Sequence, residues 1–147
     1  MRIVVDTNIA FSAILNTNSK IAQIILQPKS RLNFYSTDLL IDEIQEHRTK
    51  LKHLANLTDL DLNRSISLIV RKIRFIDAKL IPVNVLISAQ KLLTDIDIDD
   101  TEFVALADHI HGKLWSGDKV LQEGLKQKKW TKFISTTELY AKIYKIG

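Results

Sequence analysis

The 147-residue chain contains no cysteine, so disulfides and thiolate metal sites are excluded. It has no apolar run as long as a membrane-spanning helix. An acid, Asp6, stands too early in the chain for the apolar segment of a secretory signal peptide. We therefore expect a cytoplasmic protein that does not associate with a membrane.

Signatures of several enzyme classes are also absent. There is no glycine-rich phosphate loop, and no Ser–His–Asp or Cys–His arrangement stands out. No histidine has a metal-binding spacing, and His109 and His111, two residues apart near a predicted helix end, point in different directions. Nucleophilic catalysis of these types and a histidine metal centre are therefore not indicated.

The chain does have enough apolar material for one sizeable core. Hydrophobic residues make up 46% of the sequence and charged residues 26%, which is ordinary for a globular protein. It contains no linker, low-complexity tract or internal repeat. Length and composition together predict a single domain over residues 1–147.

Strand-like and helical segments alternate along the chain. Residues 2–5 form a continuous β-branched run, typical of a strand buried on both faces. The other predicted strands are 32–35, either 74–76 or 78–83, 113–116 and 130–134. The first predicted helical stretch covers residues 8–26 and is interrupted at 16–19. Two further helices are predicted from apolar stripes, one formed by Leu40, Ile44 and Leu51 and the other by Leu62, Ile66, Ile69 and Ile73. The remaining predicted helices cover 84–93, 102–107, 119–128 and the chain from 136 onward.

This alternation predicts an α/β fold with a parallel sheet of four to five strands and right-handed crossovers. A turn is predicted at residues 28–30. The residues expected to begin or end helices are Ser36 or Thr37, Thr58 or Asp59, and Gly112 at a C′ position.

The formal net charge of +4 favours a polyanionic partner only weakly. Basic residues gather in segments 47–53, 71–74 and 126–129, whereas acids concentrate in segment 95–102. Any one basic run is explained by a solvated helix face. An acidic pocket within a basic surround would instead suit a cation inside and a phosphate backbone outside.

Two acids closely follow predicted strands. Asp6 comes directly after strand 2–5, and Asp118 follows strand 113–116. Ligands of open α/β sheets bind at the carboxyl edge of the strands, where strand order reverses, and both acids belong to that edge. One acid in such a position is more often a helix N-cap, but two of them, joined by acids that open other helices, favour a site.

Polar residues accompany both acids at an offset of two. Asn8 follows Asp6, where it can hydrogen-bond a carboxylate or a metal-bound water, or cap the first helix. Ser116 precedes Asp118, where it can orient a carboxylate or contact a phosphate, or belong to a plain turn. Gly117 would allow a close backbone approach there. The spacing does not decide whether these residues belong to a site or only to a helix cap and a turn.

Further candidate acids lie on predicted helices. Glu43 lies three residues after Leu40 and borders the buried helix face, whereas Asp42 and Glu46 turn further toward solvent. Segment 95–102 holds five acids, although complementing a helix dipole needs only one or two. We expect Asp100 to reach the site, with Asp97 or Asp99 as second choice.

Carboxylates that are brought together repel one another unless a proton or a cation neutralises them. Oxygen ligands of this kind select a hard divalent ion. If the fold gathers Asp6, Glu43, Asp118 and an acid of segment 95–102, the sequence predicts metal-assisted chemistry on a phosphate.

Four segments, taken in order, resemble the PIN domain nucleases, in particular ribonucleases of the VapC-like toxin type. They are residues 4–8, Glu43, residues 97–107 and residues 114–119, and the resemblance runs from residue 3 to about 140. It implies a three-layer α/β/α fold, with a doubly wound parallel sheet covered by helices on both faces.

The resemblance also implies a function, namely cleavage of single-stranded or structured RNA. The implied catalytic residues are Asp6, Glu43, Asp100 and Asp118, supported by Asn8, Ser116, Asp97 and Asp99. The implied metal is Mg²⁺ or Mn²⁺ held by Asp6, Asp100 and Asp118, and the implied partners are an antitoxin protein and a second copy of the chain in a homodimer. We expect Arg48, Lys50 and Lys52 to contact the RNA.

Two rival hypotheses remain at this stage. A phosphatase of the haloacid dehalogenase type also begins with a strand ending in Asp, but it needs a second Asp where this chain has Asn8. A non-catalytic RNA-binding or regulatory PIN-like domain would keep the fold without the activity. The four acids argue against that second rival, and a cleavage assay with and without EDTA separates it from an enzyme.

Overall fold

The computed structural model describes residues 1–27 and 31–144, so the turn predicted at residues 28–30 lies outside the described residues. The strands are β1 (Arg2–Val5), β2 (Asn33–Thr37), β3 (Ile73–Ile76), β4 (Lys113–Trp115) and β5 (Phe133–Ile134). They form one sheet in the order β3-β2-β1-β4-β5, and all neighbouring strands are parallel. The predicted parallel α/β architecture is confirmed.

Helices follow each strand within the described ranges. They are α1 (Thr7–Leu15), α2 (Lys20–Leu26), α3 (Asp38–Glu46), α4 (Arg48–Ala55), α5 (Asp59–Val70), α6 (Val83–Leu93), α7 (Thr101–His109), α8 (Lys119–Gln127) and α9 (Thr136–Tyr144). Short 3₁₀ turns occupy Ala78–Leu80 and Ile98–Asp100. The break predicted at 16–19 separates α1 from α2, and Thr58 caps α5 by accepting the Asp61 N–H at 3.1 Å.

The sheet is doubly wound. From β1 the chain moves outward through β2 to β3, and it then returns to place β4 on the other side of β1. Right-handed crossovers therefore put the helices of the return, α6 and α7, on the opposite face of the sheet from the helices that precede them. In agreement, α1 packs against α2, α4 and α5, and α6 packs against α7. The three-layer α/β/α fold is thus confirmed.

The core lies on both faces of the central strands. Ile3, Val4 and Val5 of β1 are completely buried, as the unbroken β-branched run predicts. Phe103 of α7 is buried on one helix layer, and Trp115 of β4 uses its indole N–H to bond the Thr136 hydroxyl at 3.0 Å. This rigid centre carries the strand ends at which the candidate acids lie.

Several predicted boundaries are wrong. The helix with the stripe Leu40, Ile44 and Leu51 kinks at His47, which separates α3 from α4, although all three stripe residues are buried. Hydrogen bonds continue across the kink, from the His47 N–H to the Glu43 carbonyl and from the Leu51 N–H to the His47 carbonyl. Ile73, predicted in the preceding helix, begins β3 instead because it pairs with Phe34 of β2.

Gly112 does not take the predicted C′ position. His111 adopts the left-handed conformation there, with φ of 55°, and the Gly112 N–H then bonds the Ala107 carbonyl at 2.9 Å. Glycine is needed at 112 for a different reason: a Cβ would lie 2.7 Å from the Arg2 carbonyl oxygen. The residue therefore permits the close approach of α7 to the start of β1.

No single helix among residues 1–27 and 31–144 has both the length and the apolar character needed to cross a membrane. Within the described part of the chain, one pair of helices, α1 and α2, passes that test when taken together, and the pair is bent by 101° at the break between them.

Candidate metal centre

The strand order reverses between β1 and β4, and an acidic cavity of about 180 Å³ lies at the carboxyl edge of this pair. Its lining residues are Asp6, Thr7, Asn8, Glu43, Asp97, Asp99, Asp100 and Asp118. The fold thus brings together all four acids that the resemblance implies as catalytic, from segments far apart in the sequence. We call this space the acidic cavity.

Asp6 and Asp118 are held in place by capping the helices that they precede. Asp6 Oδ1 accepts the Ile9 N–H at 2.9 Å at the start of α1. Asp118 Oδ1 accepts the Leu121 N–H at 3.1 Å at the start of α8. Both acids therefore act as helix N-caps, which was the alternative to a site, and both still line the cavity. A carboxylate keeps further lone pairs for other ligands.

Asp100 occupies the N-cap position of α7, but its side chain makes no capping hydrogen bond. The starts of α1, α7 and α8 consequently meet at the acidic cavity. Helix N-termini carry partial positive charge, which favours anionic groups nearby. The lining of the cavity includes no lysine or arginine among the described residues. The helix N-termini therefore supply positive charge to these acids where the lining offers no lysine or arginine.

That compensation is incomplete at Asp6. The side chain is only 4% exposed, and burial raises the pKa of its carboxyl from 3.8 to about 6. The charges of Asp118 and Glu43 raise the pKa further, whereas hydrogen bonds from the Ile9 N–H and the Ser116 side chain lower it. The ionised form of Asp6 is thus less stable in the protein than in water.

The pKa of the Asp100 carboxyl is raised more than that of Asp6. Burial raises the pKa of its carboxyl from 3.8 to about 7, and the charge of Asp97 is the next largest cause. The charges of Asp6 and Asp118 and a hydrogen bond with the Asp97 side chain act in the same direction. When all the acids of the acidic cavity are ionised, their negative charge therefore exceeds the positive charge that the protein places near them.

Three carboxylates converge most closely. One oxygen each from Asp97, Asp100 and Asp118 lies within 4.8 Å of the other two. Every donor in this set is a carboxylate oxygen, which matches the preference of hard divalent cations such as Mg²⁺ and Mn²⁺. The charge deficit and the donor chemistry both fit such an ion. Asp97 is exposed, whereas Asp100 and Asp118 are partly buried.

The acids of segment 95–102 have different partners and point in different directions. Asp97 Oδ1 accepts the Asp99 N–H at 3.1 Å and so caps the 3₁₀ turn Ile98–Asp100. Asp99 lines the acidic cavity together with Glu43, and its charge is among the causes that raise the pKa of the Glu43 carboxyl. Asp95 points away and pairs with Lys128, which lowers the pKa of the Asp95 carboxyl.

Glu43 reaches the cavity from α3. It is partly buried, and burial is the largest cause raising the pKa of its carboxyl. The Thr7 hydroxyl and His47 lower this pKa. The neighbours Asp42 and Glu46 are exposed, as the helical spacing predicts. Glu43 therefore approaches from a helix layer, whereas Asp6 and Asp118 approach from strand ends.

Asn8 and Ser116 take different positions. Asn8 is exposed and lines the acidic cavity. Ser116 is buried, its Oγ accepts the Asp118 N–H at 3.1 Å, and its side chain also bonds the Asp6 carboxylate. Ser116 thus joins the two central acids. The close backbone approach expected at Gly117 is wrong within the protein, because nothing lies within 4 Å of a Cβ built there.

Thr7 is a lining residue that the sequence reasoning missed. It is buried at the start of α1, and its hydroxyl lowers the pKa of the Glu43 carboxyl. Its position between Asp6 and Asn8 was the available signal. A buried hydroxyl there places a polar atom beside Glu43 without adding charge.

The three basic candidates do not form one continuous stripe. Arg48 hydrogen-bonds the Asn63 side chain of α5, and Lys52 forms an ion pair with Asp59 at 3.2 Å. Lys50 turns the other way and lines a second cavity that borders the acidic one at Asn8. The alternation follows from helical geometry, because residues two apart face opposite sides.

The chain is similar to a family of known proteins. The family model described as the PIN domain matches residues 4–139, a span that contains every acid of the cavity. No curated protein gives a significant match. The parallel doubly wound sheet, the acids at its carboxyl edge and this match agree with one another, and the chain belongs to the PIN domain family, which has a nuclease-type fold.

Proposed function

We propose that the protein is a metal-dependent endoribonuclease that hydrolyses phosphodiester bonds of RNA. The observation that carries the proposal is the convergence of the Asp97, Asp100 and Asp118 carboxylates within 4.8 Å, at the carboxyl edge of a PIN domain sheet. The raised pKa values of the Asp6 and Asp100 carboxyls support it, because they reveal negative charge that the protein leaves uncompensated.

Mg²⁺ or Mn²⁺ is the proposed cofactor. Asp6, Asp100 and Asp118 would hold it, and Asp97 is a further candidate ligand because its carboxylate belongs to the closest set. When bound, the ion would lower the pKa of water and offset charge on the phosphate oxygens. The Ile9 N–H, the Leu121 N–H and Ser116 keep the Asp6 and Asp118 carboxylates in fixed orientations.

Glu43 is proposed to accept a proton during hydrolysis. Its partial burial raises the pKa of its carboxyl above the ordinary value, which makes it a better base than an exposed glutamate. The Thr7 hydroxyl has the opposite effect and lowers the pKa of the Glu43 carboxyl. Asp99 would help by holding negative charge close to Glu43.

RNA is the proposed substrate, and the biological role is proposed to be that of a toxin in a toxin–antitoxin pair. The net charge of +4 and the position of Lys50 beside the acidic cavity support a polyanionic substrate. The toxin role, an antitoxin partner, a homodimer and a cytoplasmic location follow from the family resemblance. A small adjacent gene for a DNA-binding antitoxin would favour the toxin role.

A cleavage assay tests the proposed function. Purified protein is incubated with end-labelled single-stranded RNA in Mg²⁺, in Mn²⁺ and in EDTA, and product formation is followed over time. We expect metal-dependent cleavage that the Asp118→Asn variant lacks and the Asp42→Asn variant keeps, because Asp42 is an exposed acid next to Glu43. Metal-independent cleavage, or full activity of Asp118→Asn, would refute the proposal. Binding of RNA without any cleavage would support the non-catalytic rival.

A further inference from the structure

A second cavity, of about 310 Å³, lies between α1 and α4. Its lining residues are Asn8, Phe11, Ser12 and Leu15 of α1, and His47, Lys50, Leu51 and Leu54 of α4 and the kink before it. Asn8 lines this cavity and the acidic cavity, so the two spaces are adjacent. We call it the Phe11 cavity. Its volume is within the range of about 300–1,000 Å³ that is typical of small-ligand sites.

Aromatic rings line one side of the Phe11 cavity. The Phe11 and His47 rings are 5.7 Å apart and meet at 71°, an edge-to-face contact that fixes both. Phe11 is only partly buried, although the residues around it in α1 that face the sheet, Ile9 and Ala13, are buried. Leu54 is 64% exposed at the rim. The fold therefore leaves an apolar aromatic surface open beside the acids.

The side chain of Lys50 places a positive charge at the rim of the Phe11 cavity. Lys50 is exposed, and within residues 1–27 and 31–144 no carboxylate lies within ion-pair distance of it. Arg48 and Lys52 of the same helix are engaged by α5. Lys50 thus offers an uncommitted ammonium group beside an aromatic face and next to a cavity that fits phosphate chemistry.

We propose that the Phe11 cavity is a subsite that binds the unpaired base of a nucleotide next to the scissile phosphate. Phe11 would stack on the base, and Lys50 would contact the adjoining phosphate. The inference rests on the proposed function and adds a base-binding subsite to it. A base inside a duplex is stacked and paired, so its face is not available to a side chain.

The observations favour a nucleotide over a peptide as occupant. The lining combines the polar side chains of Asn8 and Ser12 and the charge of Lys50 with apolar side chains, as expected for a base with its sugar and phosphate. The shared residue Asn8 makes the cavity continuous with the acidic cavity, so one extended strand can occupy both. Aromatic stacking combined with a basic edge is the general mode by which proteins hold unpaired nucleic acid.

Cleavage kinetics test the inference by removing the two partners of the stack separately. Single-stranded RNA is compared with the same strand carrying an abasic site at each position around the cleavage point. At one of these positions we expect the abasic site to raise the KM of the wild type by about 5- to 150-fold, the range for loss of one stacked base. Phe11→Ala should raise the KM for the intact strand by a similar factor and be insensitive to the abasic site.

The controls separate a stack from a change in folding. Phe11→Trp should restore a low KM because it restores an aromatic face, whereas Tyr144→Ala, at an exposed aromatic outside both cavities, should behave as the wild type. Equal KM values for Phe11→Ala and the wild type, or an abasic effect of equal size in both, would overturn the inference. Equally efficient cleavage of a fully paired duplex would overturn it as well.

A second readout does not depend on cleavage. Wild-type protein in EDTA is titrated against a single strand with one 2-aminopurine, whose fluorescence falls when the base stacks on an aromatic ring. We expect quenching that Phe11→Ala loses and Phe11→Trp keeps. If no RNA is cleaved with either metal, the proposed function fails while this measurement still decides the base site. If RNA is cleaved but quenching is the same in Phe11→Ala, the base site fails while the function stands.

Discussion

Asp6 and Asp118 occupy equivalent positions on the two strands at which the sheet reverses direction. Each follows a central strand, each caps the next helix through Oδ1, and each lines the acidic cavity. Ser116 bonds the Asp6 carboxylate and accepts the Asp118 N–H, so the pair is connected. Helix capping is therefore compatible with the ligand binding proposed for these acids, because it orients the carboxylates before any ligand arrives.

Neutralising Asp6 or Asp100 should stabilise the metal-free protein and abolish cleavage. Asp6→Asn keeps a capping oxygen and removes a buried charge whose pKa is raised to about 6, so we expect a gain on the order of 1 kcal/mol in the free energy of unfolding at pH 7.5. Asp100→Asn should change stability in the same direction.

Thermal melts in EDTA and cleavage assays in Mg²⁺ measure the two effects. Asp95→Asn is the matched control, since Asp95 belongs to the same acidic segment but pairs with Lys128 outside the cavity. It should retain full activity. A less stable Asp6→Asn protein in EDTA would show that the carboxylate is not strained by burial.

The stability of the metal-free protein should fall as pH rises. The Asp6 and Asp100 carboxyls have folded pKa values of about 6 and about 7, above their ordinary value of 3.8. The folded chain therefore binds these protons more tightly than the unfolded chain, and the contribution of both groups decreases between pH of about 4 and about 7.

Melting temperatures in EDTA across this pH window check the sign, and Asp100→Asn should show a flatter profile than the wild type. Mn²⁺ should restore stability most at the upper end of the window, because metal ligation requires ionised carboxylates. A metal-induced stabilisation that is larger at pH 5 than at pH 7.5 would contradict this linkage.

Ser116→Ala should lower activity without disturbing the fold. The variant removes the hydrogen bond to the Asp6 carboxylate and the acceptor of the Asp118 N–H, so the pKa of the Asp6 carboxyl should rise further. We expect the pH profile of metal-dependent cleavage to shift upward and the metal affinity to fall by about 10- to 100-fold. Ser116→Thr, which keeps a hydroxyl, is the control. An unshifted profile in Ser116→Ala would show that the hydroxyl does not act on Asp6.

The basic run should divide into one RNA contact and two structural contacts. Lys50→Gln is expected to weaken RNA binding and to reduce the slope of log affinity against log salt by about one. Arg48→Gln and Lys52→Gln should leave that slope unchanged, because their partners are Asn63 and Asp59 of α5. Fluorescence anisotropy across salt concentrations in EDTA measures all three variants. A lower slope in Arg48→Gln than in Lys50→Gln would reverse this division.

Gly112→Ala should be destabilising and His111→Gly should be stabilising. The added Cβ at 112 would lie 2.7 Å from the Arg2 carbonyl oxygen, so backbone atoms must shift, at a cost of about 1–3 kcal/mol. His111 has φ of 55°, where glycine is favoured by a few tenths to about 1 kcal/mol. Chemical denaturation of both variants gives the two free energies. A destabilised His111→Gly protein would point to an unrecognised contact of the imidazole.

The sequence predicts well what depends on long periodic signals. The unbroken run at 2–5 became β1, the helix predicted at 84–93 begins one residue earlier, at Val83, and the acids after β1 and β4 share one cavity. Parallel strands place their carboxyl ends at one edge, so chain order and strand periodicity suffice for that inference. Thr58 was likewise readable as a cap from its residue type.

Local turn geometry cannot be predicted from such sequence patterns. Asp97, Asp99 and Asp100 have similar chemistry, and their directions depend on the 3₁₀ turn that Asp97 caps. The kink at His47 keeps the hydrogen bonds of a helix on both sides, so no breaker residue marks it. The division of Arg48 and Lys52 from Lys50 depended on tertiary contacts with α5, which a charge run does not reveal.

The strand order also determines when activity can appear during synthesis. Asp6 is made first, but its partner across the cavity, Asp118, follows β4, which must pair with β1 at the reversal of the sheet. A growing chain that lacks β4 holds Asp6 beside an unformed sheet edge, because this long-range pairing forms only after the intervening helices are made. If the protein is the ribonuclease proposed above, its nascent chain would be unable to cut RNA until β4 and Asp118 have left the ribosome and β4 has paired with β1, and this order would protect its own messenger.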